Sequence, residues 1–168
     1  MLKRVAVFVL GMLLLSGVAA WAAEPIVIGG LFAESGKVAG VGTASRLVAE
    51  MTIKQINAAG GVLGRPLEMK VYDTQSDPNV AMRMARELVE KDKVVAIIGP
   101  TATGSGMAMK KYVEEAGVPT IMTVGGDVVI AGGKFGPYKW TFKAPQRSSV
   151  AASKVYDYLR AKGIKNIA

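Results

Sequence analysis

The chain has no cysteine and no histidine among its 168 residues. A disulfide, a thiol nucleophile, a zinc site of the usual Cys/His kind and a Ser-His-Asp triad are therefore excluded. Carboxylate chemistry stays open, but no two acids stand at a spacing that marks a catalytic pair. Aromatic residues are scarce at 7%, and there is no basic block, although Lys+Arg outnumber Asp+Glu 21 to 13. The charges alternate in sign, as in Arg83, Arg86, Glu87, Glu90 and Lys91. That pattern makes a solvated surface and speaks against nucleic acid as a partner. What the chain does have is apolar residues, 51% of the total, enough to build a core without a covalent staple.

The one long apolar run is N-terminal. Met1-Leu2-Lys3-Arg4 is a short basic start, Val5 to Ala20 carries no charge, and Ala20-Trp21-Ala22 offers small residues where signal peptidase reads. The run is shorter than the ~20 residues of a spanning helix, so residues 1–22 read as a cleaved signal peptide and the mature protein as periplasmic. No cysteine follows to take a lipid anchor. Removing that segment takes two cations and no acid, which lowers the net charge from +8 to +6.

The rest alternates strand and helix. Ile26 to Phe32 reads as a buried strand, and a helix follows over Gly42 to Ala58 with Leu47, Val48, Met51, Ile53 and Ile56 on its inward arc. Arg46, Glu50 and Lys54 share the outer face, with Glu50 and Lys54 at pairing distance. Leu67 to Tyr72 is a second strand. Asp77-Pro78 is a cap followed by proline at the first helical position, and that helix runs to about Lys91. Val94 to Ile98, a helix over Ser105 to Ala116 closed by Gly117, and Val118 to Met122 continue the series. The third helix should bury Ala108, Met109, Tyr112, Val113 and Ala116 and expose Lys110, Lys111, Glu114 and Glu115. After a glycine-rich excursion over Val128 to Gly136, Tyr138 to Phe142 reads as a fifth strand. Arg147 to Lys162 reads as a helix with Ala151, Val155, Tyr158 and Leu159 on one side, before the start of a further strand. The expected class is α/β, a parallel sheet with helices on both faces.

Ligands of such sheets sit outside the carboxyl ends of the strands. The loops at Ala33–Val41, Asp73–Asp77, Gly99–Ser105 and Thr123–Asp127 should share that edge. Of these, Gly99-Pro100-Thr101-Ala102-Thr103-Gly104-Ser105-Gly106 joins a strand to a helix N-terminus, where unpaired N–H groups take anions readily. Gly99 and Gly104 have Walker A spacing, but Ser105-Gly106 stands where lysine and a hydroxyl are required, so a phosphate loop is rejected. Gly40-Val41-Gly42 lacks the third glycine of a dinucleotide fingerprint. A carboxylate suits the loop better, held by the Thr103 hydroxyl and the N–H groups of Gly104 and Ser105. The competing role for Thr103 or Ser105 is simple helix capping. Glu34, Asp73, Asp77 and Asp127 lie near the same edge and read first as turn and cap residues.

Several motifs in order then carry a resemblance. They are Ser35-Gly36-Lys37-Val38-Ala39-Gly40-Val41-Gly42, and Ile56-Asn57-Ala58-Ala59-Gly60-Gly61-Val62-Leu63-Gly64-Arg65-Pro66-Leu67, the most specific of the set. Asp73 with Asp77-Pro78, Ala96-Ile97-Ile98-Gly99-Pro100 and Glu115-Ala116-Gly117-Val118-Pro119 follow. Over nearly its whole mature length the chain resembles the leucine/isoleucine/valine-type substrate-binding proteins of bacterial ABC transporters, with the type I periplasmic-binding fold. The resemblance implies two α/β lobes closing over one small ligand. It makes 23–144 the first lobe and 145–168 the crossover and start of a second lobe that is only begun, so the chain is expected to be an N-terminal fragment.

It also implies a carboxylate held by a hydroxyl at Thr103 and an ammonium held by carbonyl and acidic groups. Val124, Gly125 and Gly126 match a segment that contributes a carbonyl and a threonine hydroxyl, and Gly126 lacks that hydroxyl. Val41 stands where an aromatic is common. The expected ligand set is thus Thr103, Gly104, Ser105, Val124, Gly125, Gly126 and Val41, with no catalytic residue, metal or cofactor. The expected function is capture of a small carboxylate-bearing solute, such as a branched-chain amino acid, by a monomer that serves an ABC permease in the membrane. A receptor ectodomain of the same fold is the alternative. An exported hydrolase lacks a paired-acid signature.

Overall fold

The computed structural model describes residues 24–131, 138–164 and 166. The expected signal segment, part of the glycine-rich excursion and most of the last expected strand lie outside them. Five strands, β1 (Ile26–Phe32), β2 (Leu67–Asp73), β3 (Ile97–Ile98), β4 (Thr120–Met122) and β5 (Thr141–Lys143), form one sheet in the order β2-β1-β3-β4-β5. Every pairing is parallel. The helices are α1 (Ala39–Ala58), α2 (Pro78–Arg86) running on through a π-turn (Glu87–Lys91), α3 (Thr103–Ala116) and α4 (Ser148–Ala161).

Local chemistry sets most boundaries. Asp77 caps α2, its carboxylate accepting from the N–H of Asn79 and Val80, with Pro78 at the first helical position as expected. Gly117 ends α3 in the left-handed conformation, φ 69°. Asn57 anchors the end of α1 to the start of β2: its side-chain amide donates to Leu67 O and its side-chain oxygen accepts from Leu67 N–H. The strands β3 and β4 are shorter than the apolar runs around them. Val95 N–H still donates to Val27 O, and Gly29 N–H to Ala96 O, so pairing begins before the regular ladder does.

The core lies between the sheet and the α2/α3 face. Leu31, Leu88, Ile97, Met109, Val113, Met122, Val124 and Val129 have no exposed surface. A methyl group on Gly29 would meet Leu88 Cδ1 at 2.6 Å, so Leu88 rests directly on the β1 backbone. On the other face α1 buries a narrower stripe than its pattern suggests. Gly42 and Ala49 are buried and Ile53 and Ile56 half-buried, whereas Leu47, Val48 and Met51 are 54%, 58% and 55% exposed. The reason is that α1 packs on β1 and β2 and leaves the far strands bare. Ile98, Ile121 and Phe142 are register neighbours there, and Ile121 and Phe142 are about half exposed. A groove of about 560 Å³ lies between Ile98 and the α1 face, lined also by Ile28, Val41, Val48, Ile53 and Thr123 among others.

Four further expectations are corrected by the structure. Lys110 is buried, because its ammonium reaches back to Val128 O at 3.2 Å and lies over the Tyr138 ring. Ala116, expected inside, is exposed. Glu50 pairs with Arg46 at 2.6 Å, not with Lys54, because Arg46 is already drawn inward by Glu34 at 3.2 Å. α4 has no buried residue, so its expected apolar side faces outward in this chain.

Candidate functional site

The strand order places the site. The chain leaves β1 toward β2 on one side and returns as β3 on the other, so the direction of winding reverses between β1 and β3. The crevice outside the carboxyl ends at such a reversal is where ligands of open parallel sheets bind. The loop after β3, Gly99 to Ala102, opens on it and leads directly into α3.

That loop is tightly built. Gly99 has φ 110°, a cis peptide joins it to Pro100, and its N–H donates to Ile121 O at 2.8 Å. The helix it feeds has no side-chain cap. Ala102 is the N-cap residue, and neither Thr103 nor Ser105 caps α3. The first bond of the helix is Gly106 N–H to Ala102 O. The N–H groups of Thr103, Gly104 and Ser105 thus have no partner among the described residues, and they stand at the positive end of the helix dipole. The Ser105 and Thr101 hydroxyls beside them are buried and also lack a partner among the described residues. Buried polar groups are almost always satisfied, so such a cluster marks a place that expects another polar group.

Thr103 is engaged differently. Its Oγ1 accepts from Gly126 N–H at 3.2 Å, which ties the start of α3 to the loop after β4. A hydroxyl that accepts there keeps its own proton for a further acceptor. The absence of a side chain at Gly126 has a structural reason as well: a Cβ there would lie 2.6 Å from Thr103 Cγ2. The Thr103 methyl fills the space that a side chain at 126 would need.

The other expected site residues divide. Val124 is fully buried, so only its backbone is available to the cleft. The Gly125 carbonyl accepts from Ser148 Oγ at 2.7 Å. Val41 is 59% exposed and lines the apolar groove beside α1 together with Thr123. The structure therefore joins Thr103 to Gly126 and places Gly104 and Ser105 beside them. Ser148 went unnoticed in the sequence, because nothing local in Arg147-Ser148-Ser149 signals a contact with residue 125.

The four acids of this edge are all engaged. Glu34 pairs with Arg46, and Asp77 caps α2. Asp73 accepts from Ser35 Oγ and from the N–H groups of Glu34, Ser35 and Gln75. Asp127 accepts from the N–H groups of Ser148 and Ser149 at the start of α4 and pairs with the buried Lys143 ammonium at 3.3 Å. Burial opposes the charge of Asp73, but the Ser35 hydroxyl and the Gln75, Glu34 and Ser35 N–H groups outweigh it and hold its carboxyl below the usual range. For Asp127 burial is likewise outweighed, by the Ser148 and Ser149 N–H groups and Lys143.

A carboxyl whose folded pKa is lowered adds stability above its unfolded pKa, and that stability is lost as pH falls toward the folded value. Asp73→Asn is therefore expected to cost about 1 kcal/mol at neutral pH, with the difference from wild type closing below about pH 4. Urea denaturation across that range measures it, and a gap that widens on acidification would contradict it.

The fold is thus that of a parallel α/β domain of the type I periplasmic-binding kind, with its ligand edge at the β1/β3 reversal. A family model described as "Periplasmic binding protein" matches residues 25–168, and the chain belongs to that family. Among curated relatives it is 28% identical over 150 residues to an amino acid binding protein of Pseudomonas aeruginosa, covering 88% of this chain and 40% of the relative. It is 37% identical over 106 residues to Leu/Ile/Val-binding protein homolog 7 of Brucella suis, covering 63% of this chain and 26% of the relative. A branched-chain amino acid transporter substrate binding protein from Streptococcus pneumoniae, solved with isoleucine, superposes with TM-score 0.71 at 30% identity. That match covers 81% of this chain and 39% of the solved one. The chain spans about 40% of the length of the first of these relatives. All three relatives are named as binding proteins.

Proposed function

We propose that this chain supplies one half of the ligand cleft of a periplasmic solute-binding protein that feeds an ABC importer. In this reading residues 1–22 are the export signal, 23–144 the first lobe, and 145–168 the crossover into the second. The solute carries a carboxylate. Its oxygens accept from the N–H groups of Thr103, Gly104 and Ser105, and from the Thr103 hydroxyl, whose own acceptor site is filled by Gly126. The backbone at Val124, Gly125 and Gly126 forms the adjoining wall, and Val41 lies on the flank toward the apolar groove. The uncapped N-terminus of α3, set at the sheet's point of reversal, carries this reading. The groove beside α1 does not compete for the carboxylate, because no charged residue lines it.

Closure needs the facing lobe, so binding by this chain alone is expected to be weak and is best followed by amide shifts at high ligand concentration. 4-Methylpentanoate should shift the amides of Thr103, Gly104 and Ser105, and 4-methylpentanamide should not. Thr103→Val, which keeps the shape and removes the hydroxyl, should weaken the acid by about tenfold. Equal binding of acid and amide would rule out a carboxylate cradle.

A further inference from the structure

α4 leaves the sheet domain with little to hold it. None of its residues is buried, and its own N-cap, Arg147, makes no side-chain bond to the helix. Its direction therefore depends on the groups that reach its first turn. Asp127 is the charged one: Oδ1 accepts from Ser148 N–H at 3.1 Å and Oδ2 from Ser149 N–H at 3.3 Å. A carboxylate from another element thus does the work of a cap, at the positive end of the helix dipole. Its base is rigid. Asp127 opens the single turn Asp127–Val129, in which Val129 has no exposed surface and the Val128 carbonyl takes the buried Lys110 ammonium.

Behind the carboxylate stands Lys143, the last residue of β5, in register with Met122. Its side chain is only 1% exposed, and its ammonium pairs with Asp127 Oδ1 at 3.3 Å. The same ammonium donates to the carbonyls of Pro145 and Gln146. Three acceptors meet its three N–H groups, so the charge is fully satisfied. The link between β5 and α4, residues 144–147, is in this way wound about one buried cation.

Resting on the reading above of 145–168 as the crossover into a second lobe, we propose that Asp127 and Lys143 form a hinge clamp. Together they set the direction in which the chain leaves the first lobe. They are positioning residues. Turning α4 on the sheet must either unwind the link from the Lys143 ammonium or pull Ser148 and Ser149 off Asp127. Removing either partner leaves the other charge without its counterpart, which is costly where water has little access. Hinges of closing domains are a few residues at the ends of elements, and these two occupy such places. The clamp also adjoins the ligand edge. Ser148 Oγ donates to Gly125 O, and the next residue, Gly126, donates to Thr103 Oγ1, so a swing of α4 pulls on the loop that meets Thr103.

The chain has no cysteine, so Arg83→Cys with Asp157→Cys places two spin labels uniquely, one on α2 and one on α4, both at exposed positions. Pulsed electron paramagnetic resonance then reads the spread of distances between the two helices, without any solute. The wild-type background should give one narrow distribution. Asp127→Ala and Lys143→Met should each widen it at least about twofold, because α4 loses its fixed direction. Asp127→Asn keeps the shape and loses the charge; it should widen the distribution too, and it carries the test if the alanine variant does not fold. Ser148→Ala removes the bond to Gly125 and keeps both N–H groups on Asp127, so it should stay near the wild-type width. Leu88→Ala should do the same while lowering the urea midpoint, which separates a lost direction from lost stability. A broad distribution in the wild-type background, or a wild-type width in Lys143→Met or Asp127→Asn, would overturn the clamp. So would a Ser148→Ala distribution as wide as that of Asp127→Ala. Any of these leaves the solute-binding reading to its own test, the acid-induced shifts at Thr103, Gly104 and Ser105. Absence of those shifts with the expected widths would overturn that reading and leave the clamp standing.

Discussion

Gly99→Ala should destabilise the protein by at least about 3 kcal/mol. Two independent penalties coincide at that position. Its φ of 110° is a conformation that side chains with a Cβ rarely adopt, and an added Cβ would lie 2.0 Å from Leu31 O. The obstacle is backbone, so no rotamer change relieves it. The clash would push the end of β3 away from β1, at the point where the sheet reverses direction and hands the chain to α3. Loss of the cradle should therefore accompany loss of stability, read together as a lowered urea midpoint and the absence of acid-induced amide shifts. Gly40→Ala is the control: Gly40 lies in α1 with nothing within 4 Å of an added Cβ, so alanine there should stabilise by about 0.5–1 kcal/mol. A Gly99→Ala protein within about 1 kcal/mol of wild type would show that the loop yields more easily than this contact implies.

Leu88→Ala should cost about 2–5 kcal/mol. The side chain has no exposed surface and lies on the β1 backbone at Gly29, where no Cβ is present to collapse into the space left behind. It also sits in the π-turn Glu87–Lys91, whose carbonyls are tied to the following segment: Val94 N–H donates to Leu88 O, and Asp92 N–H to Glu87 O. The surroundings are held in place from both sides, which places the expected loss in the upper part of that range. Leu47→Ala, on a residue 54% exposed, should cost less than about 1 kcal/mol. Parallel urea denaturation of the two variants gives the comparison, and equal losses would mean that Leu88 is not a core residue in solution.

The element series was legible because its signals are local. Asp77 before Pro78 needs only its own N–H neighbours to start α2, and Gly117 needs only its own φ to end α3. The parallel class follows from mostly apolar strands alternating with helices, the edge strand β2 with its exposed Glu68 and Lys70 being the exception. The inward face of α1 was not legible. Leu47, Val48 and Met51 are as apolar as Ile53 and Ile56, but α1 reaches only β1 and β2, and periodicity cannot say how much sheet a helix covers. Lys110 reads as a surface residue from its charge, and only the position of Val128 O and the Tyr138 ring explains its burial.

The candidate site divides along the same line. The glycine- and hydroxyl-rich loop after β3 and its anion-binding potential follow from composition and from a strand leading into a helix. Its residue roles do not. Thr103 and Ser105 are both good capping residues, and a local rule makes either of them the cap of α3. The cap is Ala102, because the helix starts one residue earlier than a Thr103 cap and three earlier than a Ser105 cap would require, and that leaves Thr103 to meet Gly126. Contacts between residues 103 and 126, or 125 and 148, join segments more than 20 positions apart and have no local signature.

By itself, then, the sequence determined the order and type of elements, the lack of thiol and imidazole chemistry, and the loop that offers unpaired N–H groups. Those properties depend on residue type and on near neighbours. Only the tertiary structure decided which hydroxyl faces Gly126, which acids already hold donors or cations and which carbonyl Ser148 donates to. Each of those depends on where packing brings two distant backbones together, and hydrogen bonds of about 3 Å leave little tolerance for a different placement.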